Sequence, residues 1–164
     1  MASGRDITNK IRKAINDAIR EMQSPRQMQK IGDEAATIIR RRTLLGYGVA
    51  VSGGPRQALK RLADSYVSAR RRQAGLSTKT TPQKSNLTRF GFLLDSLVAR
   101  VRRLGEVEIK PDGTRPDGLT NEKVAEYVSE DRPFLNLSDN EIKQLEISAN
   151  IEFESIVKKN LTKL

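Results

Sequence analysis

The sequence predicts an α+β fold: N-terminal amphipathic helices and a long C-terminal helix packed on a small antiparallel β-sheet built around a hairpin near residues 96–110. Three observations carry this. Residues 7–42 and 138–160 place apolar side chains at three- and four-residue steps, the period of a helix with one buried face. Between them, "SLVARVR" and "LGEVEIK" alternate apolar with polar residues, the period of a strand. The length of 164 residues suits one hydrophobic core, so a single domain is expected over 1–164, in segments 1–42, 43–137 and 138–164.

Taken in order, Ile7, Ile11, Ala14, Ile15, Ala18, Ile19 and Met22 line one side of a first helix, opposite Lys10, Arg12, Lys13 and Arg20. Ser24 offers a hydroxyl as N-cap, and Pro25 fits the first helical position, where its missing N–H is not needed. Met28, Ile31, Ala35, Ile38 and Ile39 carry this second helix to about Arg42. Gly46, Gly48, Gly53, Gly54 and Pro55 then break the pattern and predict an irregular loop over 44–58. No Gly-Lys-Ser/Thr follows these glycines, which argues against a phosphate cradle. Leu59, Leu62, Tyr66 and Ala69 fit a short third helix ending in Arg70, Arg71 and Arg72, followed by a polar loop over 73–87. Both loops lack apolar periodicity and are expected to be mobile until neighbours order them.

In "KSNLTRFGFLLDSL" (84–97), Gly91 interrupts a dense apolar run and predicts a joint where helix gives way to hairpin, with Leu93, Leu94 and Leu97 entering the core. In the hairpin, Arg100 and Arg102 are expected to face Glu106 and Glu108. "PDGTRPDG" reads as a long tip, because Pro presets φ and Gly accepts positive φ. Thr120 opens a helix with Val124, Tyr127 and Val128 on one face. Pro133 biases Arg132 to an extended backbone, and Phe134 is expected to anchor the last helix against Val107 and Ile109. Ser138 and Glu141 make a capping box for that helix, whose stripe is Ile142, Leu145, Ala149, Phe153 and Ile156.

The chemistry is bounded by what is missing. With no cysteine and no histidine, disulfides, thiolate and imidazole metal sites and histidine acid–base catalysis are excluded. No pair of carboxylates is spaced for acid–base work, so neither an enzyme nor a cofactor is expected. No apolar run suits a membrane span or a signal peptide.

The net charge of +10 brings nucleic acid forward as a partner, but its distribution is uneven. Residues 1–110 hold 23 Lys and Arg against 9 Asp and Glu, whereas residues 111–164 hold 7 against 11. A subunit that docks head-to-tail on copies of itself uses both signs. Arg40, Arg41 and Arg42, like Arg70, Arg71 and Arg72, end predicted helices; they suit the helix dipole or a DNA backbone, and are candidates to face a DNA channel or a partner. Arg132, with Lys84, Arg115 and Asp117, is a candidate for subunit contacts, its planar fork matching a carboxylate.

"LTRFGFLLDSL", with Gly91, Leu93 and Ser96, resembles the T-G-x-L-x-x-S signature of small phage neck and tail-completion proteins. "LADSYVSARR" and "KSNLT" before it, and "VAEYVSEDRPFLNLS" after it, with Pro133 and Phe134, are similar to the family's flanking segments in the same order, over about residues 40–140. Phe90 stands where the family usually has threonine, and Asp131 where alanine often precedes Arg-Pro-Phe. The resemblance implies a virion subunit of the head–tail junction, assembled in the host cytoplasm. Copies of it would close a sixfold or twelvefold ring around the DNA channel and contact neighbouring neck and tail proteins. It does not choose between tail completion, tail terminator and head closure. A free-standing nucleic-acid-binding protein acting through the basic N-terminal helices is the alternative.

Overall fold

Caps set where the helices begin. In the computed structural model, which describes residues 4–73 and 75–163, α1 runs Gly4–Met22 and α2 runs Pro25–Leu44. Ser24 lies between them with extended backbone, and its Oγ accepts the Gln27 N–H at 3.4 Å, as its place before Pro25 predicts. Downstream, Thr120 caps α5 (Asn121–Asp131) by accepting the Lys123 N–H at 3.3 Å. Ser138 caps α6 (Asp139–Leu161), where Glu141 reaches back to accept the Ser138 N–H at 2.8 Å. The long C-terminal helix therefore starts at the predicted residue.

The fold is α+β, with two separate two-stranded antiparallel sheets. The smaller, β1 (Tyr47–Gly48) with β2 (Gln57–Ala58), lies in the stretch expected to be an irregular loop. That stretch is anchored to the chain's last third: the Val49 N–H donates to the Pro133 carbonyl at 3.2 Å, and Val49 is fully buried. Gly48 permits the crossing, since a methyl group there would collide with the Pro133 carbonyl oxygen. The second loop is also held, by a polar cluster around the buried Asn86, whose Nδ2 donates to the carbonyls of Leu44 at 3.3 Å and Lys79 at 3.1 Å.

The α3 helix spans Asp64–Arg71, later than the apolar spacing suggested. Leu59 and Leu62 are buried from non-helical backbone before it; a three-residue step arises there without a helical turn. Gly91 has φ +87°, the left-handed conformation glycine accepts without a steric penalty, and it starts the single turn α4 (Phe92–Asp95). Ser96 closes that turn, its Oγ donating to the Leu93 carbonyl at 2.9 Å.

The larger sheet is the predicted hairpin, β3 (Leu97–Arg103) with β4 (Glu106–Pro111). Arg100 pairs with Glu108 and Val101 with Val107, but the register slips at Arg102, so that Arg103 pairs with Glu106. The ion pairs differ from that pairing in part: Arg100, though opposite Glu108, binds Asp112, while Arg102 binds Glu108 and Arg103 binds Glu106.

The core lies where α2, α4, β3 and α5 converge, as Ile39, Leu93, Leu94, Leu97, Ala125 and Phe134, with Ile109, Val124 and Val128 at its edge. Phe134 is fully buried there, and Ile109 packs against the same cluster. Val107 instead lies on α2 over Gly32, where an added Cβ would come within 2.5 Å of Val107 Cγ1 and 2.7 Å of Ala99 Cβ. The missing side chain lets helix and hairpin touch. Tyr127 was expected on the inner face of α5 but is exposed; Ala125 enters the core instead, with Val124 and Val128 at its edge. On α6, Ile156 is buried and Leu145, Ala149 and Phe153 are half-buried, whereas Ile142 is exposed.

Candidate functional site

Two surface features and one internal ion pair account for the candidate residues. The first surface is apolar. The α1 helix packs on α6 through Ala14 and Ala18, both fully buried, while Ile7, Ile11, Ile15 and Ile19 stay 38–52% exposed along the same stripe. Small residues set the close contact and the larger ones overhang it. On α6, Ile147, Ile151 and Leu161 are also exposed. Exposed apolar side chains grouped on one helix mark an interaction surface when they form a contiguous patch.

The second surface is a cleft of about 360 Å³ between α3, the 84–93 segment and α5. Its floor is apolar, from Leu62, Leu93, Val124 and Val128. Around it stand five cationic side chains, Arg70, Lys84, Arg89, Arg115 and Arg132, and no carboxylate is among the lining residues. A guanidinium lies over each aromatic ring of the cleft: Arg89 Cζ is 5.5 Å from the Tyr66 ring centre and 5.1 Å from that of Phe90, and Arg115 Cζ 5.9 Å from that of Phe92.

Arg70 is 3% exposed and was expected to face outward, toward DNA or a partner. It instead turns inward, donating to the Lys84 carbonyl and Thr80 Oγ1, each at 3.2 Å, while its Nε has no partner. Burial draws its guanidinium below the ordinary arginine value, and the nearby Arg89 adds to the effect. Leu87, on the cleft wall between buried Asn86 and Thr88, has φ +56°, a conformation a leucine seldom holds.

Of the other predicted contacts, Arg132 Nε donates to the Lys60 carbonyl at 3.1 Å rather than to a carboxylate. Arg115 pairs with Asp117 at 3.4 Å within their own turn, and its buried Nε is unpartnered. Lys84 is exposed at the cleft rim.

The 40–42 cluster divides three ways. Arg41 is exposed, as are Arg71 and Arg72 in the other cluster. Arg40 is half-buried and ties α2 to the α4–β3 joint, its Nε donating to the Leu94 carbonyl at 3.1 Å and its Nη2 to the Leu97 carbonyl. Arg42 is 1% exposed, which overturns its outward assignment. It meets Glu141 at 2.6 Å and also donates to the Phe134 carbonyl, while Arg56 covers the other Glu141 oxygen at 3.0 Å. Burial pulls the Arg42 guanidinium below the usual arginine value against the pull of Glu141. For Glu141, burial alone would raise the carboxyl, but the Ser138 N–H and Arg42 prevail and hold it below the usual glutamate range. Sequence reasoning missed Glu141 as a buried group, although its capping-box position marked it as engaged.

No helix among the described residues is long and apolar enough to cross a membrane. No family model, no curated protein and no solved structure matches the chain.

Proposed function

We propose that the protein is a structural subunit of a tailed-phage head–tail junction, a neck, tail-completion or tail-terminator component that closes a ring of six or twelve copies around the DNA channel. The observation that carries the assembly reading is the uncovered isoleucine stripe of α1, with Ile147 and Ile151 also exposed on α6, the helix it packs on. Its occupant is a second copy of this chain. The chain carries both signs of charge, a basic first two thirds and an acidic last third, as a head-to-tail contact that closes into a ring can use. The virion setting rests on the ordered resemblance across residues 40–140, and surplus Lys and Arg would then meet packaged DNA without sequence preference.

Sedimentation and electron microscopy over a range of concentrations test this. Monomer at low concentration should give way to rings, and Ile11→Glu with Ile19→Glu should keep the chain monomeric without lowering its melting temperature, since both side chains are exposed. A chain that stays monomeric throughout, or a stable twofold dimer through 111–164, would overturn it. The alternative, a free-standing nucleic-acid binder, draws on exposed Arg41, Arg71 and Arg72. It requires tight duplex binding by the monomer with a steep salt dependence.

A further inference from the structure

We infer that the cleft between α3 and α5 is a docking site for an acidic peptide segment of a partner protein, one that carries an apolar side chain flanked by Asp or Glu. This stands independently of the ring.

Charge is the first argument. Exposed Arg41, Arg71 and Arg72 are also unpaired but point into solvent, whereas Arg70, Arg89, Arg132 and Lys84 meet no carboxylate and converge on one concavity, in which Arg115 alone is paired, to Asp117. Such a concentration of like charge is destabilising until an anion compensates it. Burial is the second argument. The Arg70 guanidinium lines the cleft with its Nε unsatisfied, an arrangement that costs stability in the free protein and is relieved by an acceptor placed there. Backbone strain at Leu87, on the same wall, is a third sign that this site is maintained for binding.

Shape and chemistry select a peptide over nucleic acid. A duplex offers its phosphates on the outside of a wide rod, which meets exposed arginines such as Arg71 and Arg72 and does not enter a concavity of about 360 Å³. Single strands are held by bases stacking on free aromatic faces. Here Arg89 lies over Tyr66 and Phe90, and Arg115 over Phe92, so a guanidinium already competes for one face of each ring. Carboxylates, by contrast, match the guanidinium fork two oxygens at a time, and the Leu62, Leu93, Val124 and Val128 floor takes one apolar side chain between them.

Selection of random linear peptides on the intact chain, followed by fluorescence anisotropy of the enriched sequences, tests the assignment. Enriched peptides should share an apolar residue between acidic ones. Arg89→Glu should weaken their binding about tenfold or more. Arg132→Glu should act in the same sense, while Arg72→Glu, outside the cleft, should change binding little. Thermal melts identify any variant that fails to fold, and exposed Arg89 decides if Arg132→Glu does not. The inference is overturned if no acidic–apolar pattern is enriched, or if Arg89→Glu binds the selected peptides as well as wild type. It is equally overturned if single-stranded oligonucleotides displace those peptides and lose affinity in Arg89→Glu.

Discussion

Phe134→Ala is expected to lower the stability of the chain by about 3–5 kcal/mol, read as a fall in denaturant midpoint with little change in slope. Phe134 has no exposed surface and touches a core drawn from four elements, so no single neighbour can relax into the space. The cost is compounded by position: its carbonyl accepts from Arg42, so backbone movement there disturbs a buried charge. Leu93 and Leu94 share the cluster and should show the same sensitivity. Arg132→Ala, two residues earlier, should cost far less, because Arg132 is half-buried and makes one hydrogen bond to a carbonyl. A Phe134→Ala chain as stable as wild type would show that the core is anchored elsewhere.

Breaking the Arg42–Glu141 pair from either side is expected to be similarly severe, about 3–5 kcal/mol, since it leaves an uncompensated charge in the interior. Arg42→Met strands the Glu141 carboxylate with only the partly exposed Arg56. Glu141→Gln keeps the shape but leaves Arg42 without its counterion. The double variant Arg42→Met, Glu141→Gln should be less damaging than the sum of the two, the sign of a direct interaction. Acid separates this pair from mere packing. Glu141 is held below its unfolded value, so its contribution is full above the ordinary glutamate range near about pH 4.3 and is lost as pH falls through the lower folded value. Urea midpoints measured across that acidic range should fall more steeply for wild type than for Glu141→Gln. Parallel curves would exclude Glu141 as a source of the acid sensitivity.

The parts of this fold that were legible are those written locally. Ser24, Thr120 and Ser138 each bind an amide within three residues or carry a partner at that distance, so the caps could be read from neighbours alone. The hairpin was legible from its alternation, but its register was not, because the slip at Arg102 obeys no period. Two residues per strand leave β1 and β2 no alternation to detect. Arg42 and Arg70 were misread for a common reason: in a run of arginines the composition signals solvent, and the residue that turns inward is chosen by distant groups. Glu141 lies 99 positions from Arg42. In the same way, the arginines of the cleft come from four separate parts of the chain, and only the fold brings them together. The isoleucine stripe of α1 was recognised as apolar, yet periodicity cannot say whether such a face meets its own chain or another.

The anchoring of the 42–56 region onto residues 133–141 also sets an order of events. Asn136 donates to the Ala50 carbonyl at 2.8 Å across 86 positions, beside the Val49–Pro133 bond and the Arg42–Glu141 pair. Closing so long a loop adds only about 0.6 kcal/mol for each doubling of its length, so equilibrium stability hardly registers the distance. Rates do register it, because the chain entropy is lost before such contacts form, whereas the helices and the β3–β4 hairpin are local and form early. In that order the junction is expected to close on the downhill side of the folding barrier, which a φ-value near zero for Asn136→Ala would show and a value near one would refute. Its bonds then act chiefly on how slowly the native chain comes apart.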